Sequence, residues 1–261
     1  DTLHVDFAGT APAVGGNVNC PLAVTRSAVL FAVQTLIGAD TPMNAGVTRA
    51  MRVTAPAGCL VNARRPRAVA AGNVETSQRI ADVVFRALAS LGVAVPAQGQ
   101  GTMNNVTFGA GATAERGEWT YYETLGGGQG GGPAGRGPSG VHVGMSNTRN
   151  TPIEVLETEC PVRVRCYQLR TGSAGSGKHA GGSGVIREYE LLAAAEASIL
   201  SERRRHAPKG SAGGRDGAPG RNLLNGSPVS AKVNLRLKAG DVLRIETPGG
   251  GGWGDSELEG R

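Results

Sequence analysis

A polar segment between residues 141 and 154 contains side chains suited to proton transfer and substrate binding. His142 can carry a proton near neutral pH. Asn147, Thr148 and Asn150 follow it closely and bring amide and hydroxyl groups that hydrogen-bond to polar substrates. A histidine in isolation is usually structural, but this one stands among groups that suit a polar ligand. We therefore predict that His142 transfers a proton and that Asn147, Thr148 and Asn150 bind substrate.

Glu123 is the second candidate for proton transfer. It stands in the sequence Tyr-Tyr-Glu-Thr, shortly before a run of glycines. A carboxylate beside a flexible glycine loop can act as a general base or as a metal ligand. A single surface glutamate is far more often only solvated, so the signal is weak when it is taken alone. Together with the segment that contains His142, it predicts Glu123 as a catalytic residue.

Two further segments, 72–79 and 98–105, offer polar groups of binding type. The first opens a predicted helix, where free backbone amides attract anions. Ordinary helix capping is the alternative, and residue type favours it at Asn73 and Glu75. The second segment combines glycines with neutral donors and acceptors that suit an amide-bearing substrate or an oxyanion, and a polar turn network explains it equally well. The candidate substrate-binding residues in these segments are Asn73, Glu75, Asn104 and Asn105.

The sequence predicts no metal or nucleotide site within this chain. Its four cysteines are widely spaced and form no C-x-x-C pair, so the spacing of a zinc site is missing. No H-x-x-x-H pair occurs. The stretch 172–178 is similar to a phosphate loop, but His179 stands where a hydroxyl residue should follow, and no helix pattern comes after it. We therefore expect this chain alone to bind no cofactor.

Composition and charge argue against nucleic acid and membrane as partners. The net charge is +6, from 27 Lys and Arg against 21 Asp and Glu, but the arginine runs contain no interleaved aromatic residues. The longest apolar stretch, residues 28–37, is broken by Gln34 and is too short to span a bilayer. No signal peptide is visible, and widely spaced cysteines are typical of reduced thiols in the cytosol. We therefore predict a cytoplasmic protein.

The spacing of apolar residues predicts an α+β fold. Residues 21–37 and 74–91 have the pattern of helices and belong to a mixed α/β first half. In the second half, alternating residues over 232–238, a turn, and a further strand over 242–245 form the pattern of a hairpin. The predicted portions are residues 1–152, α+β with polar substrate-side loops, and residues 153–261, antiparallel and β-rich.

Glycine is unusually abundant and clustered. The chain contains 42 glycines, concentrated between residues 109 and 144 and between residues 172 and 220, without a Gly-X-Y period. Long loops within a compact domain are usually functional or mobile. We therefore expect long Gly-rich loops to cover one or both ends of the sheet system, with residues 210–220 as an exposed loop.

Several polar and glycine-rich blocks occur along nearly the whole chain. They are residues 6–10, 19–23, 72–79, 100–105, 121–124, 142, 147–148, 150–152, 201–204 and 245–254. In this order the blocks resemble the hydantoinase B and 5-oxoprolinase family, and the chain is similar to the C-terminal part of a B-type subunit. A chance match in this many blocks is implausible, although each block alone is a weak signal.

The resemblance implies an enzyme that opens a cyclic amide at the expense of ATP. In this family an A-type ATPase subunit phosphorylates the lactam or enolate oxygen of the substrate, and the B-type subunit processes the activated intermediate. A planar lactam is a poor electrophile, and phosphorylation of its oxygen supplies a leaving group before water attacks. The implied partners are the A-type ATPase, which uses the ATP, and a small cyclic amide.

The resemblance covers only the later part of a B-type subunit, and the chain opens directly in a predicted strand at residues 3–7. The family's earlier region carries His and Asp motifs associated with a divalent metal, so the metal is expected in an upstream region that is missing here. Two alternatives stay open. One is a fragment of the α-type subunit of an acetone- or acetophenone-like carboxylase, and the other is an inactive fragment that serves only as an assembly module.

Overall fold

A computed structural model describes residues 2–38, 40–42, 44–113 and 117–256 of the chain. The chain divides into two compact units, residues 1–95 and residues 96–261. The sequence predicted a different division, after residue 152, between an α+β portion and a β-rich portion. That division by type of structure stays a prediction. In the part of the chain that the structure describes, no helix combines the length and the apolar character that crossing a bilayer requires.

The first unit contains a small parallel sheet and two longer helices. Its elements are β1 (Leu3–Asp6), α1 (Leu22–Ile37), α2 (Ala45–Arg49), β2 (Met51–Thr54), a π-helical turn (Gly72–Thr76) and α3 (Ser77–Ser90). β1 and β2 pair in parallel, with Leu3 opposite Met51 and Asp6 opposite Thr54. α1 and α3 contact each other. Their buried apolar residues include Ala28, Val29 and Ala32 of α1, and Ile80, Ala81 and Val84 of α3.

The helix predicted over residues 74–91 is present, but it begins in a different way. Five residues ahead of α3 form the π-helical turn, and no side chain caps either segment. Asn73 therefore lies inside the turn and is not a helix cap, so the capping explanation of this residue is wrong. Tertiary contact sets the turn: a Cβ on Gly72 would lie 2.3 Å from the carbonyl oxygen of Asn19, and the Thr76 hydroxyl donates to the carbonyl of Val18.

The second unit is built from two antiparallel sheets and one short helix, α4 (Ile153–Glu159). The four-stranded sheet has the order β10 (Lys232–Leu237), β7 (Ala195–Leu200), β3 (Asn105–Ala110), β4 (Trp119–Thr124). The five-stranded sheet has the order β5 (Val162–Arg170), β6 (Gly184–Leu191), β11 (Val242–Glu246), β8 (Arg221–Leu224), β9 (Ser227–Val229). Helices and sheets are thus mixed along the chain, with antiparallel sheets in the second half, which confirms the predicted α+β fold class.

One apolar core receives side chains from both sheets of the second unit. Phe108 of β3 and Tyr189 of β6 belong to it, with ring centroids 5.1 Å apart in an edge-to-face arrangement. The hairpin predicted over residues 232–245 is wrong, because β10 pairs with β7 in one sheet and β11 pairs with β6 and β8 in the other. The turn between these strands therefore connects the two sheets.

The glycine-rich segments of the second unit pack against one another outside the sheets. Backbone hydrogen bonds join them, for example from the Gly131 amide to the Gly251 carbonyl at 2.9 Å. A Cβ on Gly250 would lie 1.8 Å from the carbonyl oxygen of Gln129, so only glycine permits this approach. The segment 210–220 is only partly the exposed loop that was predicted, because Gly217 is buried and its amide donates to the Pro208 carbonyl.

Candidate functional site

Glu123 of β4 forms the centre of a buried polar cluster, with only 4% of its side chain exposed. Its Oε1 accepts a hydrogen bond from the Tyr189 hydroxyl and lies 3.4 Å from the Nε of Arg187. Its Oε2 accepts hydrogen bonds from the Tyr121 hydroxyl and from the Nδ2 of Asn150, both at 2.9 Å. Both carboxylate oxygens of Glu123 therefore already accept hydrogen bonds from the protein itself.

Arg187 supplies the positive charge of this cluster from β6. It alternates with Tyr189 and Leu191 on the inward face of the strand and has no exposed surface. Its guanidinium carbon lies 4.3 Å from the ring centroid of Tyr167, the residue directly opposite on β5, and 5.4 Å from that of Tyr189. Among the described residues, no guanidinium nitrogen has a hydrogen-bond partner of acceptable geometry. Arg187 is therefore held by charge and by the two rings.

The tyrosines of the cluster are neutral hydrogen-bond donors. Burial raises the pKa of Tyr189 well above its ordinary value, and the negative charge of Glu123 raises it further. The pKa of Tyr121 is raised as well, mainly by burial. Both phenols therefore keep their protons at physiological pH and donate hydrogen bonds to the Glu123 carboxylate.

Asn150 connects the cluster to the segment that follows His142. Its Nδ2 donates to the Oε2 of Glu123 and to the backbone carbonyl of Thr124, at 2.9 Å each. Its Oδ1 accepts a hydrogen bond of 2.7 Å from the Tyr167 hydroxyl. Three hydrogen bonds thus fix the orientation of this amide, which anchors one end of the polar segment.

His142 lies next to the same end of β4. Its Nδ1 is 3.4 Å from the Thr124 hydroxyl and 3.4 Å from the Ser146 hydroxyl, and its backbone carbonyl accepts a 2.6 Å hydrogen bond from the Nε2 of Gln129. Its Nε2 is buried and has no hydrogen-bond partner among the described residues. Burial lowers the pKa of the imidazole. His142 is therefore neutral at physiological pH, and its buried Nε2 makes no hydrogen bond among the described residues.

Asn104 and Asn105 are buried and bonded inside the second unit. Asn104 donates to the Oε1 of Gln100 at 2.7 Å and accepts from Arg204 at 2.5 Å. Asn105 accepts a 2.6 Å hydrogen bond from the Tyr122 hydroxyl and donates to a backbone carbonyl of β7. These contacts favour a polar turn network at both residues, and their contact with substrate stays a prediction.

The other predicted binding residues have different surroundings. Asn147 and Thr148 are exposed, between His142 and Asn150. Asn73 and Glu75 belong to the first unit, where Asn73 is exposed and Glu75 is buried within the π-helical turn. The role of all four in binding substrate stays a prediction.

Within the second unit, the structure brings together three of the predicted residues, Glu123, His142 and Asn150, around Thr124. Sequence reasoning missed the residues that hold them, which are Tyr121, Tyr167, Arg187 and Tyr189. One signal was present: Arg187 occupies an inward position of an alternating strand, where a charged residue requires a buried partner. The local sequence does not predict which residue that partner is.

No metal centre is formed by the residues that the structure describes. Among them, no three His, Cys, Asp or Glu side chains lie close enough together to hold an ion. The divalent metal implied by the family resemblance thus finds no ligand set in these residues, and no step of a reaction can be assigned to one here.

Comparison with known proteins identifies relatives over almost the whole chain. The family model described as hydantoinase B/oxoprolinase matches residues 1–256. The 5-oxoprolinase 1 of Arabidopsis thaliana is 42% identical over 256 residues, which cover 96% of this chain and 19% of the relative. The putative B-type subunit of a D-/L-hydantoinase from a Pseudomonas species is 31% identical over 267 residues, covering 97% of this chain and 45% of the relative. The chain thus spans between about a fifth and just under half of these relatives.

Two solved structures share the fold. The ATP-dependent caprolactamase from Pseudomonas jessenii aligns with a TM-score of 0.82 and 25% identity, over 97% of this chain and 46% of that chain. A nucleotide-free acetone carboxylase aligns with a TM-score of 0.71 and 16% identity, over 97% of this chain and 40% of that chain. At that identity the second likeness concerns the fold alone.

Proposed function

The chain belongs to the hydantoinase B/oxoprolinase family, and on that premise we propose that it supplies part of the hydrolytic site of an ATP-dependent cyclic-amide hydrolase. In this proposal His142 transfers the proton, and Asn147 and Thr148 orient the carbonyl groups of the substrate. Asn150, whose two amide hydrogens are both used inside the protein, holds the segment that carries them. A partner ATPase of the A type activates the substrate with ATP. Because the chain spans only 45% of its hydantoinase relative, the activity belongs to the complete enzyme.

The main support for this proposal is the environment of His142. The imidazole is neutral because burial lowers its pKa, and a neutral imidazole can accept a proton. Its Nδ1 faces two hydroxyl groups, whereas its buried Nε2 has no partner among the described residues. A buried polar atom without a partner is costly, by about 1–3 kcal/mol. A substrate or a water molecule bound at Nε2 would remove that cost.

The reaction follows from the weak electrophilicity of an amide. The partner transfers a phosphoryl group from ATP to the oxygen of the cyclic amide. Water then adds to the activated carbon, and the Nε2 of His142 accepts the proton that the water loses as the new C–O bond forms. As the C–N bond of the ring breaks, the nitrogen takes up the proton from His142 and an acyl phosphate remains. A second water molecule then hydrolyses the acyl phosphate to the carboxylate and inorganic phosphate. His142 thus serves as base and then as acid.

Glu123 has a positioning role in this proposal, although its residue type also suits proton transfer. Both carboxylate oxygens are occupied by donors of the protein, and the side chain is almost inaccessible. A proton transfer through Glu123 would require at least one of these contacts to open. We therefore assign it the task of fixing Asn150 and, through Thr124, the place of His142.

Names of related proteins support the reaction class. One relative is named as the B-type component of a hydantoinase, and a structure with the same fold is that of an ATP-dependent caprolactamase. Both names describe the opening of a cyclic amide. The carboxylase alternative predicts instead that ATP turnover by the complete enzyme depends on bicarbonate, and the assembly-module alternative predicts that polar substitutions leave turnover unchanged.

Replacement of His142 in the complete enzyme with its partner ATPase tests the proposal. We expect His142→Gln to lower turnover by about 10²–10⁴-fold, the usual contribution of a general acid–base group. In the unmodified enzyme, kcat/KM should fall with decreasing pH in a limb that lies below 6.5, the ordinary pKa of histidine, because the protonated imidazole cannot act as base.

The matched control is His206→Gln, which replaces an exposed histidine of the same unit. Turnover of this variant should match that of the unmodified enzyme. If His142→Gln retains full turnover and the acid limb, His142 is not the proton carrier and the proposed function of this chain fails.

A further inference from the structure

The parallel sheet of the first unit has an open strand edge. The amides of Leu3 and Phe7 in the β1 segment donate to the carbonyls of Ala50 and Thr54, both at 2.9 Å. In a parallel ladder, alternate residues of a strand direct their backbone groups to opposite sides. The backbone amides and carbonyls of Met51 and Val53 therefore point away from β1. Among the described residues, no backbone group forms a hydrogen bond with them. Two amides and two carbonyls along β2 are thus available.

A two-stranded parallel sheet is an unusual structure by itself. Parallel sheets occur almost only with more strands and with covered faces, and two strands alone are marginal in water. The first unit therefore presents a sheet to which a further strand can be added.

A cleft of about 530 Å³ lies along this open edge. Its lining consists of all four residues of β2, Arg26, Ser27 and Leu30 of α1, and Thr48 of α2. A cleft lined by consecutive residues of one strand runs parallel to that strand. Four residues of extended chain span about 13 Å, so the cleft has the length of a short added strand.

The charge of the cleft is positive and uncompensated. Arg26 and Arg52 both line it, both are exposed, and neither has a hydrogen bond or an ion pair within the described part of the chain. The apolar contacts come from Leu30, Met51 and Val53. An occupant that complements these features is extended, offers alternating apolar side chains and carries an acidic residue.

We propose that the edge of β2 binds an extended acidic segment as an additional strand, and that a region of the B-type protein outside this chain supplies it. More than half of the hydantoinase relative lies outside the region that this chain matches. That remaining length is enough to supply an additional strand. Main-chain hydrogen bonds to Met51 and Val53 provide affinity, and Arg26 and Arg52 select the acidic residue. The inference does not depend on the role of His142.

A peptide titration tests the proposal on the chain in solution. The probe is a labelled, capped peptide of sequence Val-Glu-Val-Glu-Val, and its binding is followed by fluorescence anisotropy. Two matched probes carry Lys in place of Glu, or methyl groups on alternate backbone amides. We expect saturable binding of the acidic peptide and at least a tenfold loss of affinity with either matched probe. Amide resonances of Met51 and Val53 should shift on binding.

Variants of the cleft separate its charge from general surface charge. Arg52→Gln and Arg26→Gln should each weaken binding at least threefold, whereas Arg64→Gln, an exposed arginine outside the cleft, should leave it unchanged. Circular dichroism confirms that each variant is folded. The proposal is overturned if the acidic peptide does not bind, if the methylated probe binds equally well, or if the resonances that shift belong to the opposite edge, on β1. Self-association of the chain through Met51 and Val53 would also overturn it, because the occupant would then be a second copy.

Discussion

Glu123 and Glu246 are both buried carboxylates of the second unit, with 4% and 2% of their side chains exposed. Within the described part of the chain, Glu123 pairs with one cation, the completely buried Arg187, and otherwise accepts hydrogen bonds from neutral donors. Glu246 is paired with three arginines that all reach solvent, and one of them, Arg221, is 61% exposed. The same residue type is thus stabilised by a unique partner in one place and by redundant partners in the other.

The position of each residue in the sheets explains this difference. Glu246 alternates with the core residues Leu243 and Ile245 of β11 and lies on the outer face, opposite Arg221 of β8. Long arginine side chains can reach that face from neighbouring strands while their charged ends stay in water. Glu123 lies inside, where its cation, Arg187, comes from a completely buried position. The region around His142 therefore depends on contacts that cannot be replaced from the surface.

The largest effect is expected for Arg187→Met. It leaves the Glu123 carboxylate buried without its counter-charge, which should lower the free energy of unfolding by roughly 3–5 kcal/mol. Urea unfolding of the chain measures this loss. When Arg187→Met is combined with Glu123→Gln, much of the loss should be recovered, because no unpaired charge is left inside. A loss below about 1 kcal/mol for the single variant would mean that the buried pair is no more sensitive than a surface pair.

Glu246→Gln should have a smaller effect that depends on pH. Burial raises the pKa of Glu246, but hydrogen bonds from Arg221 and Arg244 and the charge of Arg170 outweigh it, so the pKa lies below the ordinary 4.5. A carboxyl with a lowered pKa stabilises the folded state above its unfolded pKa, and this contribution is lost as the pH falls through the folded value.

We therefore expect a loss of about 1–3 kcal/mol for Glu246→Gln at pH 7, and convergence with the unmodified chain as the pH falls below 4.5. Urea unfolding at a series of pH values measures both. A difference that grows toward low pH would contradict the sign of the pKa shift.

The sequence predicts the helices and strands better than it predicts which strands and which side chains pair with each other. Alternation identifies the strand over residues 232–238, and apolar spacing identifies the helix that contains Ile80 and Val84. The hairpin expected around residue 240 failed, because the local pattern does not encode which sheet each strand joins. The pairing of Arg187 with Glu123 is equally non-local. Inward alternation reveals that Arg187 needs a partner, but only the packing of one sheet on the other selects it.

For the glycine-rich segments, prediction from the sequence is limited in a different way. Their composition indicates irregular structure, and this is what they form. Their close mutual approach depends on contacts such as Gly250 with Gln129 and Gly130 with Ala97, which are far apart in the sequence. Composition therefore predicts the type of structure but not its packing. Among the candidate site residues, those next to β4 came together because the segment after Leu125 returns to the end of that strand, with the Gly127 amide bonded to the Val141 carbonyl.

Tyr167→Phe tests how the Glu123 cluster is connected to the proposed site. The variant removes the hydrogen bond to the Oδ1 of Asn150 but keeps the ring that faces Arg187. We expect a loss of about 0.5–1.5 kcal/mol in the free energy of unfolding. In the complete enzyme, kcat should fall while KM changes little, since the bond positions Asn150 and supplies no binding energy. An unchanged kcat would disconnect the cluster from the reaction.

The smallest effect is expected for Arg221→Met, the counterpart of Arg187→Met at the other carboxylate. Arg221 makes the 2.7 Å contact with Glu246, yet Arg170 and Arg244 lie at 3.2 and 2.8 Å and keep the charge paired after the substitution. Because the guanidinium is largely exposed, the loss should stay at about 0–1 kcal/mol and should shrink as salt is added. Urea unfolding at low and high salt measures both. A loss as large as that of Arg187→Met would show that redundancy does not protect Glu246, and the difference between the two carboxylates would then rest on burial of the acid alone.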